Sequence, residues 1–165
     1  MSKITIYPDP ILRQQAAPIN TISKEILNIS QEMVDIMYTY DGIGLAAPQM
    51  GISKQIITVD YGEGPLILFN PEIIEMSSEQ HEIEEGCLSL PDITVPVLRP
   101  VKIKVKFINE NNEVTEMEVE NLAAKVFQHE IDHLKGILII DHISPLKKAV
   151  INSKLKKLEK IYSTH

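Results

Sequence analysis

Two histidines and a glutamate lie close together in the segment His129-Glu130-Ile131-Asp132-His133. Residues four apart on a helix share a face, so the imidazoles of His129 and His133 can bind one cation. The carboxylate of Glu130 lies beside them and can reach a water molecule at the ion without being a ligand. The spacing therefore indicates metal-assisted hydrolysis with Glu130 as general base, although such a pattern also arises by chance in exposed, charged helices.

A catalytic ion of this kind needs a third protein ligand and one open coordination position. Asp141 and Glu159 do not continue the helical face of the two histidines. The single cysteine, Cys87, is the remaining candidate, because a thiolate binds the same ions as imidazole. A lone cysteine is otherwise a small buried hydrophobe. Beside an incomplete two-histidine site, we predict that Cys87 is the third ligand.

Three segments that contain these residues resemble, in order and spacing, the signature motifs of peptide deformylases. They are Gly42-Ile-Gly-Leu-Ala-Ala-Pro-Gln49, Glu85-Gly-Cys-Leu-Ser89 and Gln128-His-Glu-Ile-Asp-His-Leu134. The resemblance extends from Tyr7-Pro-Asp-Pro10 to Ser144-Pro-Leu146 and so spans nearly the whole chain. It implies that the chain removes the formyl group from the N-terminal formylmethionine of nascent polypeptides. It also implies one divalent ion, Fe²⁺ in the cell, with Zn²⁺, Ni²⁺ or Co²⁺ as substitutes.

The same resemblance implies roles for residues around the ion. The side-chain amide of Gln49 and the backbone N–H of Leu88 would stabilise the developing oxyanion, although Gln49 could instead satisfy backbone groups of its own loop. Gly44 and Gly86 would let the backbone approach the substrate chain closely, although either can also serve a turn. The residues that would shape a methionine pocket, or else simply belong to the core, are Ile43, Leu88, Leu122 and Val126.

Three positions depart from the family pattern. Thr94 lies seven residues after Cys87, where many members have Arg. Lys125 occupies a position that is more often apolar, and we expect its charge in water at the pocket rim with its stem against the substrate. His142 replaces a more usual Arg. None of the three is a predicted ligand or the predicted general base.

Three helices are expected to position these residues. Ser23 is the predicted N-cap of the first, which ends at Asp41-Gly42. Asn121 is predicted to cap the second, which carries the two histidines and ends at Gly136 in a left-handed C′ position. Ser144-Pro145 is expected to open the third. Its apolar contacts are expected from Leu146, Val150, Leu155, Leu158 and Ile161.

Short strands are predicted between the first two helices and after the second. They cover 55–60, 66–69, 101–108, its hairpin partner 113–120 and a final strand at 137–140. Segment 42–49 is predicted as an ordered loop, because it is rich in Gly and Pro. Helices and strands do not alternate regularly, so the predicted class is α+β. In the family, antiparallel or mixed sheets surround the central helix with its His-Glu-x-x-His, and a C-terminal helix follows.

Length and composition narrow the classes of protein. A chain of 165 residues suits one catalytic domain, 1–165, and 44% hydrophobic with 24% charged residues is ordinary for a globular protein. There is no apolar run near 18 residues and no signal-peptide pattern at the start, so we expect a cytoplasmic protein without a membrane partner. Few aromatic residues and no Trp argue against a nucleic-acid stacking platform, and no specific DNA partner is expected.

The net charge of −7 is unevenly distributed. Residues 144–165 contain six lysines and one acid, Glu159, which gives +5 and leaves −12 on the rest of the chain. One interpretation is a solvated amphipathic helix packed on the body. The other adds a basic outer face that binds the ribosome, in keeping with a nascent-chain substrate.

Two other functions are compatible with parts of the pattern. A zinc endopeptidase also uses His-Glu-x-x-His, but its third ligand is a His or an acid rather than Cys87. A non-catalytic protein with a structural metal site normally has four protein ligands, and the sequence offers no suitable fourth Cys or His. Both alternatives are therefore weaker than a deformylase.

Overall fold

Seven strands and three α-helices form within residues 3–164, the part of the chain that the computed structural model describes. The helices are α1 (Lys24–Thr39), α2 (Asn121–Leu134) and α3 (Pro145–Ser163). The strands are β1 (Gly44–Ala46), β2 (Ile56–Val59), β3 (Leu66–Met76), β4 (Gln80–Cys87), β5 (Leu90–Pro100), β6 (Lys102–Ile108) and β7 (Val114–Glu120). Short 3-10 helices occupy Pro10–Arg13, Ala47–Met50 and Ile139–His142.

The strands form two antiparallel sheets beside α2. One has five strands in the order β1-β2-β3-β6-β7, and the other consists of β4 and β5. The predicted hairpin of β6 and β7 is confirmed, with Lys104 opposite Glu118 on one face and Val105 buried on the other. The α+β class is also confirmed, because antiparallel sheets surround the helix with the two histidines and a C-terminal helix follows.

The predicted helix ends are largely confirmed. The Ser23 hydroxyl accepts a hydrogen bond from the backbone N–H of Ile26 at 3.2 Å, and the Ser144 hydroxyl accepts one from Lys147 at 3.2 Å. Gly136 follows α2 with φ +75°, and a Cβ there would lie 2.5 Å from the carbonyl oxygen of Arg13. Only glycine fits this position, both because of its left-handed backbone and because of the close approach.

Three local predictions are wrong. Segment 42–49 contains β1 and a 3-10 helix, because its small buried residues bring the backbone next to β2, where Gly44 pairs with Val59. Segment 137–140 is no strand but leads into a 3-10 helix, which Asp141 stabilises by accepting from the Leu138 N–H at 2.9 Å. Asn121 does not precede α2 but is its first residue, with φ +55°.

Three apolar clusters hold the elements together. Phe127 and Ile131 of α2 pack with Val105 on the five-stranded sheet, and α1 packs on the same sheet through Met33 and Met37. The third cluster joins β5 to α3 through Leu155 and Leu158.

Two apolar side chains near the start of α3, Leu146 and Val150, do not make the predicted contacts, whereas Ile151 packs against the third cluster. Leu146 and Val150 are 78% and 77% exposed, and Ile161 is 48% exposed, because only the Leu155 and Leu158 side of the helix lies on the body. In the part of the chain that is described, no helix combines the length and apolarity needed to cross a membrane.

Candidate active site

A cysteine from β4 and two histidines from α2 meet at one point. The ligand atoms of Cys87, His129 and His133 all lie within 4.8 Å of one another, and the Cys87 Sγ is 3.4 Å from His133 Nε2. Cys87 is the last residue of β4, and the two histidines are one helical turn apart on the side of α2 that faces it. The structure therefore brings the three predicted ligands together.

The donor set fits a divalent transition metal. One thiolate and two imidazoles suit both iron and zinc, and three protein ligands leave a position open for a reacting molecule. His133 is 1% exposed, and its Nδ1 has no hydrogen-bond partner among the described residues. Burial, and then the neighbouring charge of His129, lower the pKa of His133 well below its usual value, which favours the neutral imidazole that a metal requires.

A buried network of charges holds His129. The Oε1 of Glu85 is 2.9 Å from His129 Nδ1, so an Nδ1–H donor there leaves Nε2 free to bind metal. Arg99 donates to both oxygens of Glu85, at 2.5 and 2.9 Å, and to Asp132 Oδ2 at 3.0 Å. His142 extends the network, with its Nε2 2.8 Å from the same Asp132 oxygen.

Electrostatics within this network favour the ionised form of Glu85. Burial acts to raise the pKa of Glu85, but hydrogen bonds with His129 and Arg99 together with their charges lower it to about 2. Burial likewise opposes a charge on His129, whereas the nearby Glu130 carboxylate raises the pKa of that imidazole well above its usual value, so a metal bound at Nε2 would displace a proton there. Glu85 is therefore a carboxylate at neutral pH and a fixed anionic acceptor for His129.

Glu130 lies beside the ligands in a different environment. It is 4% exposed, and its Oε2 is 4.0 Å from His129 Nε2. Burial raises the pKa of Glu130 to about 7. A Cβ on Gly44 would lie 2.6 Å from the same Oε2, so the missing side chain at this position of β1 makes room for the carboxylate. A buried carboxyl group that titrates near neutrality can both accept and return a proton.

The Gln49 side chain points an amide toward Cys87. Its Oε1 accepts from the Ala46 N–H at 2.9 Å, which fixes the orientation of the amide plane. Its Nε2 donates to the Ser89 hydroxyl at 3.2 Å and lies 3.7 Å from the Cys87 Sγ. Gln49 thus serves its own loop, as one interpretation of the sequence expected, and also presents a donor at the ligand cluster.

These groups lie on one cavity of about 490 Å³. The predicted site residues that line it are Ile43, Gly44, Gln49, Gly86, Cys87, Leu88, Val126, His129 and Glu130. His133 is not part of the lining and lies deeper. Leu122 is outside this cavity, contrary to expectation, because its side chain is 48% exposed at the start of α2 and borders a separate depression.

The three departures from the family pattern have different surroundings. Thr94 lines the cavity wall, and its Cγ2 would be 3.7 Å from a Cβ on Gly86. Lys125 also lines the cavity, and its Nζ donates to the backbone oxygen of Glu84 at 3.3 Å. His142 is not among the residues that line the cavity, and its Nε2 joins the charge network at Asp132.

The sequence analysis assigned no role to Glu85, Ser89, Arg99 or Asp132. Glu85, Ser89 and Asp132 lie inside the quoted motifs, and each is within two residues of a predicted ligand, which is a usable signal for a supporting role. Arg99 carries no such signal, because its partner Glu85 is 14 residues away and only the pairing of β4 with β5 brings them together.

Comparison with known proteins agrees with this geometry. The pattern of the family described as Polypeptide deformylase matches residues 1–149. A peptide deformylase of Thermotoga maritima is 47% identical over 155 residues, which cover 94% of each chain. A crystal structure from the same organism has 48% identity and a TM-score of 0.85 over 88% of this chain and 99% of its own. Arabidopsis thaliana peptide deformylase 1B has 37% identity and a TM-score of 0.93 over 98% and 92%. The chain therefore belongs to the polypeptide deformylase family of metal-dependent enzymes.

Proposed function

We propose that this protein hydrolyses the N-terminal formamide of formylmethionyl peptides and releases formate. The observation that carries the proposal is the convergence of Cys87, His129 and His133 beside a buried Glu130, on a cavity large enough for an amino-acid side chain. A structural metal site would not require the open cavity or the buried acid.

Cys87, His129 and His133 would hold one divalent ion, which when bound supplies Lewis acidity and makes water a nucleophile at neutral pH. Glu130 would accept a proton from the water that attacks the formyl carbon. The Gln49 Nε2 would donate a hydrogen bond to the oxygen on which negative charge develops. The Leu88 backbone N–H would donate a second hydrogen bond to the same oxygen. The C–N bond then breaks, Glu130 returns its proton to the leaving nitrogen, and the products are formic acid, which ionises to formate, and an amine that takes up the released proton.

The apolar part of the cavity accounts for the choice of the first residue. Ile43, Leu88 and Val126 line it, and Gly86 keeps the wall next to Cys87 free of a side chain. Burial of a side chain of methionine size is worth about 1.5 to 3 kcal/mol, or roughly 10- to 150-fold in kcat/KM. A formyl-Gly peptide should lose this factor, and a formyl-norleucine peptide should not.

We propose Fe²⁺ as the ion in the cell, with Zn²⁺, Ni²⁺ or Co²⁺ as substitutes. One thiolate and two imidazoles accept all four ions, so the donor set supports the group rather than one member. Anaerobic purification followed by metal analysis tests this choice. Predominant iron with activity that decays in air supports it, and stoichiometric zinc in the anaerobically purified protein contradicts it.

Formate release from formyl-Met-Ala-Ser is the direct test of the proposed function. The matched controls are acetyl-Met-Ala-Ser and an internally quenched peptide blocked at both ends. Turnover of the formyl peptide alone supports the proposal. Cleavage of the blocked peptide would instead indicate an endopeptidase, and metal binding without turnover of any peptide would indicate a structural site.

We also propose that α3 docks on the ribosome in the cytoplasm, where nascent chains emerge. The proposal is supported by the surface of α3, which combines the exposed side chains of Leu146 and Val150 with six lysines. Lys154 is a poor test position, because its Nζ donates to the Asp92 oxygen at 3.0 Å and holds the helix on the body. Replacing Lys156, Lys157 and Lys160 by Ser should weaken salt-sensitive co-sedimentation with ribosomes and leave peptide turnover intact. Unchanged co-sedimentation would contradict the docking.

A further inference from the structure

We propose that Lys125 limits the length of the first side chain that the enzyme accepts, because its stem separates the catalytic cavity from a second apolar depression. This inference rests on the proposed function and names a specificity-determining residue for it.

The two spaces meet at Lys125. The second depression has a volume of about 230 Å³, several times the roughly 30 Å³ that one water molecule occupies in the liquid. Among the residues that line the two spaces, Lys125 is common to both. The other residues around the second depression are His81, Ile83, Arg99, Pro100, Val101, Asn121 and Leu122.

Lys125 reaches from one element of the active site to another. Its backbone belongs to α2, while its Nζ donates to the Glu84 carbonyl oxygen of β4 at 3.3 Å. The four methylenes of the stem thus cross between α2 and β4, with the charged end held at the backbone of β4. Long charged side chains commonly cover apolar surface in this way while the head group stays hydrated.

The positions of three residues along α2 explain why the Lys125 side chain forms the wall between the two spaces. Leu122, Lys125 and Val126 are three and four residues apart, so they lie next to one another on the same side of the helix. Val126 borders the catalytic cavity and Leu122 borders the second depression. A substrate side chain that extends past Val126 therefore meets the Lys125 stem before it can reach Leu122.

Truncation of Lys125 should join the two spaces. The probe is a series of formyl-Xaa-Ala-Ser peptides in which Xaa is norleucine, 2-aminooctanoic acid or 2-aminodecanoic acid, so that each step adds two methylenes. A newly buried methylene is worth about fourfold in kcat/KM. In Lys125→Ala, the ratio of 2-aminooctanoyl to norleucyl kcat/KM should rise by about 15-fold over the parent ratio, about fourfold for each of the two added methylenes.

Two further variants separate size from charge. Lys125→Met keeps most of the stem and removes the charge, so it should keep the parent ratio. Lys135→Ala removes an exposed lysine just after α2 and should do the same. Lys125→Ser is a second truncation, and it should reproduce the ratio of Lys125→Ala. Thermal unfolding and metal content check that each variant is folded and loaded.

The outcomes distinguish this inference from the function on which it rests. If the parent protein turns over no formyl peptide, the proposed function itself is wrong. If the parent is active but neither truncation changes the ratio, Lys125 does not limit side-chain length, and the proposed function remains supported. An equal rise in Lys125→Met would also overturn the inference, because the ammonium charge rather than the stem would then be the barrier.

Discussion

Replacement of Glu85 by Gln tests whether the buried charge network, as distinct from the ligands themselves, organises the metal site. In the parent protein the carboxylate accepts from Arg99 at 2.5 and 2.9 Å and lies 2.9 Å from His129 Nδ1. The glutamine amide has nearly the same size and keeps one oxygen for His129. Its NH₂ group, however, faces the guanidinium of Arg99. Both groups are hydrogen-bond donors, so one hydrogen bond of the parent pair is lost.

The expected cost follows from the burial of the pair. Glu85 is 1% and Arg99 is 5% exposed, and removal of one partner from a buried ion pair typically costs about 3 to 5 kcal/mol. Asp132 remains 3.0 Å from Arg99 and compensates part of the charge, so we expect a loss near 3 kcal/mol. Metal affinity should fall about 10- to 100-fold, because His129 loses a fixed anionic acceptor.

Two measurements check these values. Urea unfolding of the zinc-loaded protein gives the stability change, and competition with a chromogenic chelator gives the zinc affinity. Glu84→Gln is the matched control, since it makes the same chemical change at the adjacent, exposed position of β4, and it should alter stability by less than about 0.5 kcal/mol. A Glu85→Gln protein with stability and zinc affinity equal to those of the control would refute the organising role of the network.

Three other substitutions test the site directly. Glu130→Gln should keep its metal but lose about 10² to 10⁴ in turnover, because proton transfer is lost, and substantial turnover would contradict the assignment of the base. Cys87→Ala should lose both tight metal binding and activity, and stoichiometric, tightly held metal in this variant would indicate a different third ligand. Gly44→Ala would place a Cβ 2.6 Å from Glu130 Oε2, so kcat should fall about 10²-fold at unchanged metal content. Parent-like kcat in that variant would show that the position of the carboxylate is not critical.

Local signals predicted the helices of this fold better than its strands. Ser23, Gly136 and Ser144-Pro145 mark helix ends by chemistry that acts within a few residues, and each occurs where expected. The sequence analysis predicted no strand over β4 or β5, and within β5 Pro96 and Pro100 are residues that local rules place outside central strands. They are tolerated because β4 and β5 form a two-stranded sheet, in which one side of each strand needs no partner.

The site shows the same division between local and long-range information. Residue type and helical spacing were enough to select His129 and His133, and the chemistry of the site singled out Cys87. Helical spacing did not reveal that the Leu122 side chain is about half exposed, because burial along a helix depends on which elements pack over each residue. The pairing of Arg99 with Glu85 depends on strand register, which no local pattern specifies.

Helix α2 combines chemistry and substrate selection in one rigid element. Lys125, His129 and His133 succeed one another at intervals of four residues, so the proposed wall and the two metal ligands form one row on the helix. Asp132 connects the same helix to the charge network. A core substitution at Phe127 that tilts α2 on the sheet would therefore change metal affinity and side-chain selectivity together. A substitution at Lys125 alters only the end of the row, so it should change selectivity while the metal remains bound.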